Sequence, residues 1–335
     1  MPIRVKQDDR VRATGSVLLL TDLVNMNNYW KHPEVKTLSK ERLEPYRDHP
    51  CARAARELDP CASMGSSFYC YAVLLEGPEQ EFRPRPQAAS FDGKYAGLRF
   101  SGLLRDFYRD AGLARFWDET KKLWDETLED CRAMLAEEDP GKFLDLFYGA
   151  SEYGRPKRDL VVVPNPLNPT SFSYGPGDGT TSYSIVGPPN VRLDSPDPVR
   201  YTAHGHQFQD GLFHEFSHTL LDVAESEAAG ATDSLVHAVR GMPFNKKFAD
   251  LYEEPDRHMC FDELFIRAAT ALYQREAGRE AAAGAFLQRQ EDEYGLGWIR
   301  RMHSALEAYL GGRKTNRYAS LADYLPVLAA TFSSV

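Results

Sequence analysis

Cysteine is scarce. Five thiols, Cys51, Cys61, Cys70, Cys131 and Cys260, are spread over 335 residues, and no two form a CxxC pair. The odd number gives no sign of a disulfide framework, a zinc ribbon or a redox motif, so reduced and mostly buried thiols are expected. Long apolar runs are missing too. The longest early one, Val17-Leu18-Leu19-Leu20, stops at Thr21 and Asp22. It is too short for a signal-peptide core or a membrane span, and a cytoplasmic protein with no membrane partner is the expectation. There is no basic excess: 40 Lys plus Arg against 49 Asp plus Glu leave a net charge of −9. Nucleic acids and anionic membranes are bound mainly by basic surfaces, so neither is an expected partner. No internal repeat or low-complexity tail occurs. With 42% hydrophobic and 27% charged residues, the chain is neither disordered nor collagen-like.

What remains is an ordinary globular composition with changing periodicity. Residues 1–6 read as a strand, 35–58 and 66–76 as helical or ambiguous, and the Pro-rich stretch 78–86 as loop. From about 97 to 138 apolar residues recur at three-to-four spacing, which predicts an amphipathic pair of helices. Residues 143–147 suggest a further short helix. Asp159-Leu160-Val161-Val162-Val163-Pro164 is a continuous apolar strand. After the loop 173–179, residues 181–187 alternate as a half-buried strand. Beyond about 205 nearly everything reads as helix. The expected fold is α+β, a small mixed sheet with a predominantly helical body. Its expected parts, together one compact unit, are an N-terminal mixed part at 1–154, a core at 155–280 and a C-terminal helical cap at 281–335.

The chemistry lies at 211–222, Gly-Leu-Phe-His-Glu-Phe-Ser-His-Thr-Leu-Leu-Asp. His214, Glu215 and His218 make an HExxH motif. Histidines four residues apart share one helical face, about 6 Å apart along the axis. Two imidazoles so placed can converge on one tetrahedral Zn²⁺, while Glu215 can reach an activated water as general base. At this chain's His and Glu frequencies, roughly 0.02 such matches are expected by chance, and the motif is an established zinc signature. Leu212, Phe213, Phe216, Leu220 and Leu221 make the helix apolar on most sides, so its polar groups need partners.

A catalytic zinc takes a third protein ligand and keeps an open position. Ten carboxylates lie between His218 and Glu263, counting Glu263. Glu263 is distinguished by a helix that is apolar on both faces, which predicts burial, and a buried carboxylate needs a cation. Zn²⁺ is one candidate and Arg267, one turn on, is the other. Asp233 and His237 compete with Glu263 as third ligand. Asp222, one turn past His218, can order a ligand through a hydrogen bond. His237, His258 and Tyr252 are candidates to donate to an oxyanion.

The zinc helix with a distant Glu on a later helix resembles the gluzincin metallopeptidases. Further pieces resemble a bacterial family known as domain of unknown function 4932. They are Asp9-Arg10, Asn165-Pro166, Tyr174-Gly175-Pro176, the His-Glu-Phe-Ser-His helix, Glu263-Leu264-Phe265-Ile266-Arg267-Ala268, and Arg317-Tyr318-Ala319-Ser320 with Tyr324-Leu325-Pro326. The resemblance implies a zincin-like fold and peptidase activity. It departs from the better-known gluzincin peptidases at Arg267, where they carry Asp or His. Zincins commonly bind a peptide along an edge strand beside the active helix. Strand 181–187 is the candidate here, since β-augmentation needs a free edge.

The function expected from these readings is zinc-dependent hydrolysis of peptide bonds, with His214, His218 and Glu263 on the metal and Glu215 as base. The alternatives are hydrolysis of another amide or ester at the same site, and a catalytically idle binding protein on the same scaffold.

Overall fold

The computed structural model describes residues 1–21, 37–38, 41–58, 66–77, 81–89, 99–149, 158–170, 172–189, 200–251 and 257–333. It forms two units. One comprises residues 3–138 and 160–208; the other comprises 1–2, 139–159 and 209–335. These lines differ from the expected breaks near 154 and 280. The strands at 160–186 group with the N-terminal part, and the C-terminal helices group with the HExxH helix. The class is mixed α+β with a predominantly helical body. Among the described residues no helix is long and apolar enough to cross a membrane. Cys51, Cys70, Cys131 and Cys260 form no disulfide among the described residues; Cys61 lies outside them.

The first unit opens with β1 (Ile3–Val5) and α1 (Asp9–Leu18), whose N-cap Asp8 accepts from the Arg10 backbone N–H. The apolar run 17–20 therefore ends a helix. Then come α2 (Pro50–Leu58), α3 (Ser66–Val73), β2 (Leu75–Glu76) and β3 (Arg83–Pro84). β2 and β3 pair antiparallel, so part of the expected loop 78–86 is a short ladder. The stretch 97–138 gives three helices where a pair is expected: α4 (Phe100–Asp110), α5 (Leu113–Glu119) and α6 (Lys121–Glu137). Gly112, at φ +60°, takes the left-handed conformation that divides the first two. Thr120 marks the second break, its hydroxyl bonded to the Phe116 carbonyl at 2.7 Å and accepting from Trp124 Nε1 at 3.0 Å.

β4 (Asp159–Pro164), β5 (Ser173–Tyr174) and β6 (Thr181–Val186) complete a mixed four-stranded sheet in the order β1-β4-β6-β5. β1 runs parallel to β4, with Arg4 opposite Val161, and β5 runs antiparallel to β6. Leu160 to Val163 are fully buried, as a continuous apolar run requires. β6 departs from expectation twice. Its residues 182–186 are all buried, so it is not a half-buried strand. Nor does it offer a free edge. It lies between β4 and β5, and the 173–178 segment returns along it, with Tyr183 N–H donating to the Pro176 carbonyl at 2.8 Å. Main-chain pairing with a peptide needs unpaired groups, so strand 181–187 is not a β-augmentation edge. The Asn165-Pro166 turn is held by Asn165 Nδ2, which donates to the Tyr69 hydroxyl and to Asn168 Oδ1, each at 3.0 Å. Gly15 of α1 packs there. A Cβ on it would stand 2.7 Å from Asn165 Nδ2, closer than side chains tolerate.

The second unit is helical: α7 (Gly141–Tyr148), α8 (Gln207–Glu227), α9 (Ala229–Ala238), α10 (Lys246–Leu251), α11 (Arg257–Glu276), α12 (Glu280–Tyr294), α13 (Ile299–Lys314) and α14 (Leu321–Phe332). α11 is its axis. Cys260, Phe261 and every residue from 263 to 274 are buried, and α9, α12 and α13 pack on it. α8 is fixed to α11 by an aromatic stack, Phe213 on Tyr273, with centroids 5.1 Å apart and planes 13° from parallel. At the start of α8, Asp210 accepts from Gln274 Nε2 at 2.8 Å and from Arg279 Nη2 at 2.6 Å. The C-terminal helices expected as a cap are thus part of the packing that holds α11.

Candidate metal centre

α8 presents Phe213, Phe216, Ser217 and Leu220 inward and leaves its HExxH face partly open. The His214 and His218 side chains are 20% and 28% exposed. Their ring centroids are 5.1 Å apart, with planes at 79°. Glu263, on the opposing face of α11, is 2% exposed. Its Oε1 lies 3.6 Å from His218 Nε2 and 3.9 Å from His214 Nε2. Its Oε2 accepts from Arg267 Nε at 2.8 Å. Arg267 in turn donates to Gln290 Oε1 at 2.5 Å and packs over the Tyr294 ring.

The two candidates for compensating Glu263 are therefore not exclusive. Arg267 takes one carboxylate oxygen and leaves the other toward the imidazoles. Bonds of 2.0–2.2 Å in a tetrahedral zinc site put ligand atoms about 3.3–3.6 Å apart. The observed separations lie within a few tenths of an ångström of that range. The donor set of two imidazole nitrogens and one carboxylate oxygen suits Zn²⁺. On donor chemistry and spacing, the residues fit the ion.

Protonation is consistent with that fit. Burial pushes His214 down to about 3, against the opposing pull of Glu263, so its ring is neutral and a free lone pair is available. Burial, with the Glu263 charge adding to it, pushes Glu215 up to about 8. A bound dication would bring that value back down.

The other expected participants are placed as follows. Asp233 and His237 are exposed on α9, and neither joins the His214–His218–Glu263 group. Asp222 is exposed and makes no hydrogen bond to His218 among the described residues, so the ordering contact expected of it is not formed. Tyr252 lies outside the described residues. His258 is gathered into a different group. Its Nε2 is 2.9 Å from Glu225 Oε2 and 3.6 Å from Asp262 Oδ1. Burial holds the Glu225 and Asp262 carboxyls above the ordinary carboxylate range, with repulsion from Asp222 adding to Glu225 and repulsion from Glu225 adding to Asp262. Neither acid stands out in the sequence. The available signal is spacing: Glu225 stands seven residues past His218, and His258 and Asp262 are one turn apart. Compared with family models, with curated proteins and with solved structures, the chain has no match.

Proposed function

We propose that the protein is a zinc-dependent metallopeptidase of gluzincin type, with α8 and α11 in a zincin-like arrangement. The observation that carries this reading is Glu263. A carboxylate only 2% exposed turns one oxygen to 3.6 Å and 3.9 Å from the two histidines of an HExxH helix. The resemblance to the domain-of-unknown-function 4932 family belongs to the same proposal and adds a peptidase expectation without a substrate.

His214, His218 and Glu263 Oε1 would hold the ion. When bound, zinc supplies a Lewis acid that polarises a carbonyl and acidifies a water. Glu215 does the proton work. It follows His214 directly on α8, and its carboxyl feels the charge of Glu263. As base it takes the proton from the attacking water, and as acid it returns that proton to the leaving amine. Arg267 fixes the Glu263 rotamer from behind through the Nε–Oε2 bond.

The substrate class is a peptide or protein, and its docking does not use β6. The test is a peptide-library digest with the protein as purified and after chelation. Cleavage that is lost on chelation and restored by Zn²⁺ supports the reading. Cleavage indifferent to chelation would refute it.

A further inference from the structure

The Glu225, His258 and Asp262 ligand atoms lie within 4.8 Å of one another. Glu225 comes from the C-terminal end of α8, two turns past His218, whereas His258 and Asp262 share one face at the start of α11. Glu225 is 6% exposed. Its Oε1 and Asp262 Oδ1 are buried oxygens with no hydrogen-bond donor among the described residues. Both carboxylates have His258 as their ion-pair partner. One imidazole carries at most a single positive charge, and the Asp222 carboxylate adds its own repulsion to both acids. Buried carboxylate oxygens without donors are costly, and a cation among them removes the cost.

We infer that Glu225, His258 and Asp262 form a second divalent-cation site, separate from the HExxH site on the same two helices. Its donors are two carboxylates and one imidazole, in place of two imidazoles and one carboxylate. That set suits a harder ion of the manganese class more than the HExxH set does. The half-exposed His258 gives an entry side. An ion held there ties the end of α8 to the beginning of α11, and so braces the two helices that carry His214, His218 and Glu263. The inference rests on this cluster alone and does not depend on the peptidase reading.

The test uses the full chain carrying His218→Ala, which removes the HExxH site whatever that site binds. The metal-stripped variant is titrated with Mn²⁺, and uptake is read from the loss of the free-ion electron paramagnetic resonance signal. One equivalent is expected, and adding Glu225→Gln or Asp262→Asn should abolish it. Circular dichroism checks that each variant keeps its helices. Should His218→Ala not fold, the same titration is made on the unsubstituted chain loaded with one equivalent of Zn²⁺ and freed of excess zinc. There Mn²⁺ should raise the melting temperature, and Asp262→Asn should remove that rise. No uptake by a folded chain would show a carboxyl pair sharing a proton and would overturn the inference. So would uptake that persists in Asp262→Asn.

Discussion

Arg267 Nε donates to Glu263 Oε2 at 2.8 Å, and the other oxygen of the same carboxylate, Oε1, faces His218 at 3.6 Å. One carboxylate is thus shared between a fixed cation on its own helix and the imidazoles of another. Arg267 also donates through Nη1 to Gln290 Oε1 at 2.5 Å, which fixes the guanidinium between two side chains. A metal ion between that oxygen of Glu263 and the imidazoles would sit against a carboxylate that is almost wholly buried.

The third ligand is tested by substitution. Glu263→Ala should weaken zinc binding strongly, while Asp233→Ala and His237→Ala, both on the exposed surface of α9, should leave it unchanged. Competition with a chromophoric chelator measures all three. Equal affinities for Glu263→Ala and the unsubstituted chain would remove Glu263 from the site.

Glu215 is assigned to proton transfer and not to metal binding. Glu215→Gln should keep the metal and lower hydrolysis by a factor on the order of 10²–10⁴. Zinc content and turnover are read on the same preparation. A variant that loses its zinc would make Glu215 a ligand.

Removing Arg267 takes away the cation that holds buried Glu263 Oε2 at 2.8 Å. Arg267→Met should destabilise the metal-stripped protein by about 3–5 kcal/mol. Saturating zinc should shrink that deficit, because it returns a cation to the same carboxylate. Urea unfolding with and without zinc gives both numbers. An identical deficit in the two conditions would mean that zinc does not touch Glu263.

The pH dependence follows from Glu215. Its folded value, about 8, lies above its ordinary 4.5, so the folded chain holds the proton where the unfolded chain releases it. The associated stability is complete below the ordinary value and is lost as pH rises through the folded value, at up to ~1.4 kcal/mol per unit. Metal-stripped protein should therefore lose stability between about pH 5 and about pH 8 relative to Glu215→Gln, which has no proton to release there. Urea midpoints at the two ends of that window measure the difference. Parallel behaviour of the two proteins would contradict the burial of Glu215.

Much of the candidate centre was legible because its parts are local. The i, i+4 histidines need only one helix, and the burial of Glu263 follows from apolar residues on both sides of α11. The Glu225–His258–Asp262 group was not legible. It exists only because the end of α8 meets the beginning of α11, a contact between residues more than thirty positions apart that no local period encodes. The sheet shows the same limit. The apolar run 160–163 announces a buried strand, but the interior place of β6 depends on the 173–178 segment folding back along it. That segment's Gly and Pro content reads as loop. The three-helix outcome at 100–137 turned on Gly112 and Thr120, single residues inside an otherwise continuous helical period.

The central claim is that His214, His218 and Glu263 hold one zinc ion, and elemental analysis of the full chain tests it most directly. Protein grown with zinc, purified without chelator and desalted should retain about one tightly held zinc per chain, since the three ligands are already convergent. The His214→Ala, His218→Ala double variant should retain none. Zinc in the unsubstituted chain at no more than the level of the double variant would contradict the account.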